Sequence, residues 1–186
     1  MRDAFIAELT TQAKLNPNIM LLTGDLGFGV LEDFANLLPN QFLNVGVAEQ
    51  NMTMVAAGLA LEGKKVFTYS IGNFPTLRCL EQIRNDVCYH DLDVKIVSIG
   101  GGFSYGQLGM SHHATEDLSI MRAIPNLTLS SPSSKKEVRE ITKFLCFQKG
   151  PSYLRLDKSD IDIEEFKFSP DESSILRKGS SITMIG

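Results

Sequence analysis

The sequence predicts an α/β fold, an open, mostly parallel, doubly wound sheet with helices on both faces. Three observations predict it. Short apolar runs recur along the chain, each ending in a glycine or a polar turn. Between them lie segments whose apolar residues fall at three- and four-residue steps, and this alternation of strand and helix is that of a parallel sheet covered on both sides. The composition, 43% apolar and 22% charged over 186 residues, is that of one globular domain and excludes a disordered, collagen-like or coiled-coil chain.

Each element has its own local reason. Asp3 to Leu15 carries Phe5, Ile6, Leu9 and Ala13 near helical spacing, and Asn16-Pro17 ends it, because the residue before a proline avoids the helical region. Ile19 to Thr23 reads as a buried strand broken at Gly24-Asp25. Leu31 to Leu38 reads as a short amphipathic helix stopped by Pro39, and Phe42 to Val45 as a second strand. Ala48 to Leu61, rich in Ala and Met, reads as a helix with Gly63 as its C-terminal cap. Lys65 to Ser70 is a third strand, followed by a helix over Thr76 to Tyr89 with Leu77, Leu80, Ile83 and Val87 on one face. Val94 to Ile99 is a strand running into Gly100-Gly101-Gly102. A loop, a helix near 115–123, a strand near 127–129, a helix near 135–148 and a strand at 153–156 continue the alternation.

The predicted domain spans residues 1–158. Between Asp157 and Glu172 seven acids face two lysines, so 159–180 reads as a solvated acidic connector. Residues 181–186 then read as a buried strand with no helix after it. The expectation is the first strand of a C-terminal domain that is missing; the alternative is an extra edge strand.

Charge and cysteine usage exclude several classes. The formal net charge is −4, without Lys/Arg runs, which argues against nucleic acid as a partner. Cys79, Cys88 and Cys146 match neither a metal-ligand spacing nor a disulfide framework, so no metal site is expected in this chain, and reduced thiols point to a cytoplasmic setting. The first residues contain acids and no continuous apolar core, so no signal peptide is expected. No apolar run approaches the roughly 18 residues of a membrane span, so no membrane association is expected.

In a doubly wound sheet, ligands bind beyond the carboxyl ends of the strands. Those ends are Gly24 to Gly29, Gly46 to Glu49, Ser70 to Phe74 and the glycine-rich loop Gly100 to His113. None matches a dinucleotide fingerprint or a phosphate-binding P-loop. By position alone Glu49 is a helix-start glutamate favoured by the macrodipole, and Phe74 is a core ring. Asp25 is a turn former before Gly27, His112 a surface residue, and Lys158 a solvated lysine beside Asp157 and Asp160.

Together these loops carry a more specific pattern. Asn44-Val-Gly-Val-Ala-Glu-Gln-Asn-Met52 resembles the signature of the transketolase family, within its pyrimidine-binding domain, which is the C-terminal section of thiamine-diphosphate-dependent enzymes. Glu81-Gln-Ile-Arg-Asn85, Ser111-His-His113, Glu116-Asp117, Met121-Arg-Ala-Ile-Pro125 and Ser131-Pro132 extend the resemblance over residues 1 to about 158.

The resemblance implies the family's pyrimidine-domain fold and a catalytic role for Glu49. In the family, the matching carboxyl hydrogen-bonds a ring nitrogen of the cofactor's aminopyrimidine and promotes the tautomer that removes the thiazolium proton. Burial among Val47, Ala48 and Met52 should favour the protonated acid that this requires. Phe74 matches a ring that stacks on the pyrimidine, whereas Ile71 stands where the family often has a second Phe. Asp25 corresponds to an acid near the cofactor. His112 matches a histidine that contacts donor hydroxyls and handles protons. His113 replaces the usual glutamine and is a second candidate, and Lys158 stands where an arginine often binds a substrate phosphate.

Family proteins usually carry Gly-Glu-Asp-Gly where this chain has Gly106-Gln-Leu-Gly109, so Leu108 replaces an acid that reads a donor hydroxyl. An acceptor-phosphate histidine also gives way to the run Gly100–Gly102. The resemblance therefore implies an acceptor less phosphorylated than usual, or one tethered to a larger group. The sequence contains no Gly-Asp-Gly, the family's start of the diphosphate and metal site. Thiamine diphosphate, with Mg2+ held by a partner chain, is the implied cofactor. The implied partners are the thiamine-diphosphate-binding N-terminal section of transketolase, a second copy of this chain, and a sugar or sugar phosphate. The implied reaction is transfer of a two-carbon ketol unit to an aldehyde. The alternatives are a deoxyxylulose-phosphate synthase, a 2-oxoacid dehydrogenase component, or a non-catalytic α/β interaction domain.

Overall fold

The computed structural model describes residues 1–158, 168–172, 175, 178–182 and 184. Most of the expected acidic connector at 159–180 and half of the expected strand at 181–186 lie outside the described residues.

Six strands form one sheet: β1 (Ile19–Thr23), β2 (Phe42–Asn44), β3 (Lys65–Ile71), β4 (Val94–Ile99), β5 (Thr128–Ser130) and β6 (Ser152–Leu156), in the order β2-β1-β3-β4-β6-β5. Every pairing is parallel. The helices are α1 (Arg2–Leu15), α2 (Glu32–Leu37), α3 (Glu49–Leu61), α4 (Leu80–Gln82), α5 (Asp117–Met121) and α6 (Lys135–Phe147).

Strand side chains alternate between two cores, which is why the runs look uniformly apolar in sequence. On one face Leu21, Phe67, Tyr69, Val97 and Leu154 pack with Phe5 and Leu9 of α1, Phe34 of α2, and Val138 and Leu145 of α6. On the other, Leu22, Val66, Val94, Ile96 and Tyr153 pack with Met52 and Ala56 of α3, with Ile83 and Val87, and with Met121 of α5. Among the described residues no helix is long and apolar enough to cross a membrane.

The connections set the site. From β1 the chain moves outward to β2 through α2 on the first face, then returns past β1 to β3 through α3 on the second. Crossovers leaving β1 and β3 on opposite faces open a crevice at the carboxyl ends of these two strands, where such sheets bind ligands.

Local chemistry explains most boundaries. Asn16 is extended ahead of Pro17, ending α1. The Lys64 amide donates to the Leu59 carbonyl and the Gly63 amide to that of Ala60, closing α3 as a Schellman motif with Gly63 at φ +82°. Ser134 and Glu137 form a capping box that starts α6. The expected helix over 76–89 is not uniform: a 3-10 turn at Leu77–Cys79 leads into α4, which widens into a π-turn at Ile83–Cys88. Bonding to the fifth residue back, as from the Tyr89 amide to the Arg84 carbonyl, lets Ile83, Val87 and Cys88 all face the core.

Candidate active site

The crevice is lined by the loops after β1, β2, β3 and β4. After β2, Gly46 turns the chain at φ +75° into α3, whose first residue is Glu49. Its side chain is 3% exposed, and Oε2 lies 2.9 Å from Nη1 of Arg78. Gly24, after β1, lies against it: a Cβ there would sit 3.2 Å from the Gly46 carbonyl oxygen and 3.8 Å from Glu49 Oε1. That glycine lets the ends of β1 and β2 approach and leaves room beside the carboxyl.

Asp25 adopts φ +58°, which Asp tolerates better than most residues. Its amide donates to Asn44 Oδ1, and Asn44 Nδ2 donates to Asp25 Oδ1. Asn44 Oδ1 also accepts from the Gly46 amide. Asp25 thus braces the loops that carry Glu49.

After β3 the chain makes a tight turn. The Phe74 amide donates to the Ile71 carbonyl, and Asn73 Nδ2 donates to the Ser111 carbonyl. The Phe74 ring has two neighbours. The Arg78 guanidinium carbon lies 4.5 Å from its centroid, and the His112 ring meets it edge-on at 4.9 Å. Tyr105 stands 6.1 Å beyond His112, and Lys158 Nζ lies 4.1 Å from the Tyr105 centroid. Glu49, Arg78, Phe74, His112, Tyr105 and Lys158 form one continuous belt of contacts across the carboxyl ends of β2, β3, β4 and β6.

The glycine loop is held from beneath. Asp117, 1% exposed, accepts from Tyr153 Oη at 2.5 Å and pairs with Arg155 Nη1 at 3.2 Å. A Cβ on Gly101 would lie 2.7 Å from Arg155 Nε, so only glycine fits there without a shift.

The structure brings Glu49, Phe74 and His112 together and separates the two histidines. His112 Nδ1 is bonded to Ser111 Oγ and its ring faces Phe74. His113 turns away, donating from Nε2 to the Gly106 carbonyl and meeting Phe103 edge-on. Ile71 closes β3 half-buried and contributes no ring. Lys158 donates to the Ser104 carbonyl rather than lying free in solvent. Leu108 is exposed on the 3-10 turn Gly106–Leu108. Sequence reasoning missed Arg78. Its only signal is that it follows Phe74 by four residues, the spacing that stacks side chains along a helix. Glu116-Asp117 belongs to the resemblance, but nothing in the sequence joined Asp117 of α5 to Tyr153 and Arg155 of β6, which lie more than thirty residues away.

Known proteins resemble this chain across the domain that carries the crevice. Residues 1–163 match the family model for the pyrimidine-binding domain of transketolase. The chain is 39% identical to a putative transketolase C-terminal section of Methanocaldococcus jannaschii, covering 100% of this chain and 60% of that protein. It is 34% identical to an apulose-4-phosphate transketolase subunit of Actinobacillus succinogenes, covering 97% of this chain and 54% of the relative. It superposes with a TM-score of 0.84 on a solved split-gene transketolase described as an inactive beta4 tetramer, at 36% identity over 96% of this chain and 59% of the other. The chain thus spans somewhat more than half the length of these relatives. With all of residues 1–163 under that family model, and the signature around Glu49 at the head of α3, the chain belongs to the transketolase pyrimidine-binding domain family.

Proposed function

We propose that this chain is the pyrimidine-binding part of a two-chain, thiamine-diphosphate-dependent, transketolase-like enzyme that moves a two-carbon ketol unit from a ketose to an aldehyde. The observation that carries the reading is Glu49. Its carboxyl is almost sealed from solvent, at the edge of a crevice beside an aromatic ring. Oε2 meets Arg78, while Oε1 has no hydrogen-bond partner among the described residues.

These residues fit an aminopyrimidine. Protonated Glu49 can donate from Oε1 to a ring nitrogen, Phe74 can receive the flat face, and Gly24 keeps the adjacent space open. When bound, thiamine diphosphate supplies the carbanion chemistry that the reaction requires. The chain's own residues orient and protonate. Glu49 holds a proton at Oε1, and Asp25 and Asn44 fix the loops on either side of it. Ile71 offers an apolar wall in place of a second ring. His112, anchored through Nδ1, presents Nε2 to a substrate hydroxyl. Lys158 and His113 stand on the substrate side, where Lys158 supplies positive charge and His113 shapes the loop.

The reading assigns the diphosphate and Mg2+ to a partner chain, the N-terminal section of transketolase. Support comes from the relatives' names, which are those of sections and subunits. Further support comes from exposed Phe28, Val47, Phe103 and Met110 on the crevice loops, an apolar rim suited to cover by the partner and by a second copy of this chain. Residues 1–158 form the domain, followed by an acidic connector and the start of a C-terminal domain, in a cytoplasmic protein. The run Gly100–Gly102, standing in place of an acceptor-phosphate histidine, supports an acceptor with fewer charged groups than an ordinary sugar phosphate.

The test is Glu49→Gln in the complex with the N-terminal chain. Partner binding should be retained, while proton exchange at the thiazolium carbon falls by about 10²–10⁴-fold, the usual scale of a lost acid–base contribution. Exchange within a few-fold of the parent protein would overturn the assignment. Carbon dioxide release from a 2-oxoacid would point to a synthase or dehydrogenase component instead.

A further inference from the structure

We propose that Arg78 is a placeholder for the cofactor's aminopyrimidine, holding the Glu49 carboxylate and the face of Phe74 until the ring displaces it. The proposal rests on the reading of Glu49 and Phe74 as ring contacts, and it adds a residue that no signature marked.

Two contacts define the placeholder. Arg78 Nη1 lies 2.9 Å from Glu49 Oε2, and the guanidinium carbon lies 4.5 Å from the Phe74 centroid. A guanidinium is flat, delocalised and edged with N–H groups. Set on a carboxylate and against an aromatic face, it makes the two contacts that a nitrogen-bearing ring would make there.

The pair is asymmetric in burial. The Glu49 side chain is 3% exposed and that of Arg78 is 46% exposed. A carboxylate so buried is costly without a countercharge. The half-exposed guanidinium can instead withdraw into water with little desolvation to reverse. Its backbone need not follow, because Gln50 Nε2 donates to the Arg78 carbonyl and ties the 77–79 turn to α3. The movement is confined to one side chain.

The shared Phe74 face makes the two occupants exclusive, although Arg78 meets Oε2 and the ring would meet Oε1. An ionised carboxylate only accepts hydrogen bonds, whereas a carboxyl that donates to a ring nitrogen must carry a proton. The ion pair keeps Glu49 in the accepting form. For the ring to bind, Arg78 leaves as a cation and Glu49 takes up one proton from solvent. The other titratable groups facing the pair are Cys79 and His112. Burial pushes the Cys79 thiol up to about 11, so it stays neutral at physiological pH. His112 touches the far neighbour of the pair, Phe74.

The test uses the full chain and 4-amino-5-hydroxymethyl-2-methylpyrimidine, the aminopyrimidine half of the cofactor. Titration calorimetry in two buffers of different ionisation enthalpy reads affinity and proton uptake together. The parent protein should bind with uptake of about one proton. Arg78→Met should bind about tenfold tighter, the lower end expected for a charge-assisted contact half open to water. In nuclear magnetic resonance spectra the Arg78 Nε–H signal of the parent should move on titration.

Equal or weaker binding by Arg78→Met, or no proton uptake by the parent, would overturn the placeholder and make Arg78 a residue that positions Glu49. Glu49→Ala, which leaves no group to donate to the ring nitrogen, separates this from the underlying reading. If it binds as well as the parent, or if neither the parent nor Arg78→Met binds, Glu49 is not the ring's acid and both ideas fall. Arg78→Lys keeps the charge without the flat fork and should fall between parent and Arg78→Met, which covers the case in which the methionine variant fails to fold.

Discussion

Asp93→Asn tests the polar cluster at the opposite end of the sheet from the crevice. Asp93 lies just before β4 and is shared by two lysines. Lys65 Nζ lies 2.5 Å from Oδ2, and Lys95 Nζ lies 2.8 Å from Oδ1, a charge contact without hydrogen-bond geometry. Both ammonium groups also donate to the Gln148 carbonyl, and Lys95 donates to that of Gly150, so the cluster ties β3 and β4 to the end of α6. The Lys95 side chain is fully buried, and desolvation lowers its pKa from 10.5 to about 8.

The size of the effect follows from that value. At pH 7 Lys95 can shed its proton for about 1.4 kcal/mol, one pH unit below its pKa. Losing its countercharge therefore cannot cost more than that amount through Lys95. Lys65, nearly buried, loses one charge-assisted hydrogen bond worth about 1.5 kcal/mol. The variant should be destabilised by about 3 kcal/mol at pH 7. At pH 9 Lys95 is largely neutral in parent and variant alike, so the cost should shrink to about half. The sign is fixed by linkage. A lysine with a depressed folded pKa leaves the folded state with fewer protons between about 8 and 10.5, so its contribution to stability rises with pH across that window. Burial holds Cys79 near 11, and Cys88 and Cys146 near 12, which lowers stability once unfolded thiols ionise. That loss is common to both proteins and cancels in the difference. Urea unfolding at the two pH values reads it. A cost below about 0.5 kcal/mol at pH 7, or an equal cost at both, would refute the reasoning.

Two further substitutions address the support beneath the crevice. Asp117→Ala leaves Arg155 and Tyr153 without their buried acceptor and should cost about 3 kcal/mol, seen as a melting temperature lower by roughly 6–12 °C for a chain of this size. Tyr153→Phe leaves Asp117 on Arg155 and should cost only about 1 kcal/mol, so equal losses would show that the cluster does not act as described. Gly101→Ala places a methyl 2.7 Å from Arg155 Nε, and the overpacking should cost about 1–3 kcal/mol. A melting temperature unchanged by that substitution would show that the glycine run has slack.

The sequence by itself determined the order and type of the elements, because these depend on signals a few residues long. Pro17 ends α1, Gly63 caps α3, and buried parallel strands read as short apolar runs whatever their neighbours. It also placed Glu49 at the start of a helix and Phe74 after a strand, since both positions follow from boundaries. Only the tertiary structure decided what those residues meet. Glu49 faces Arg78, 29 residues away, because α3 and the 77–79 turn pack on the same face of the sheet, side by side at the crevice. His112 and His113 are adjacent in the chain and chemically alike. Only the packing of the glycine loop turns one toward Phe74 and the other back onto Gly106. Asp117 of α5 meets Tyr153 and Arg155 of β6 only because the two elements pack together, and the shared Asp93 depends on strand register. Side-chain partners of this kind are set by how the sheet is wound, and no local pattern carries that information.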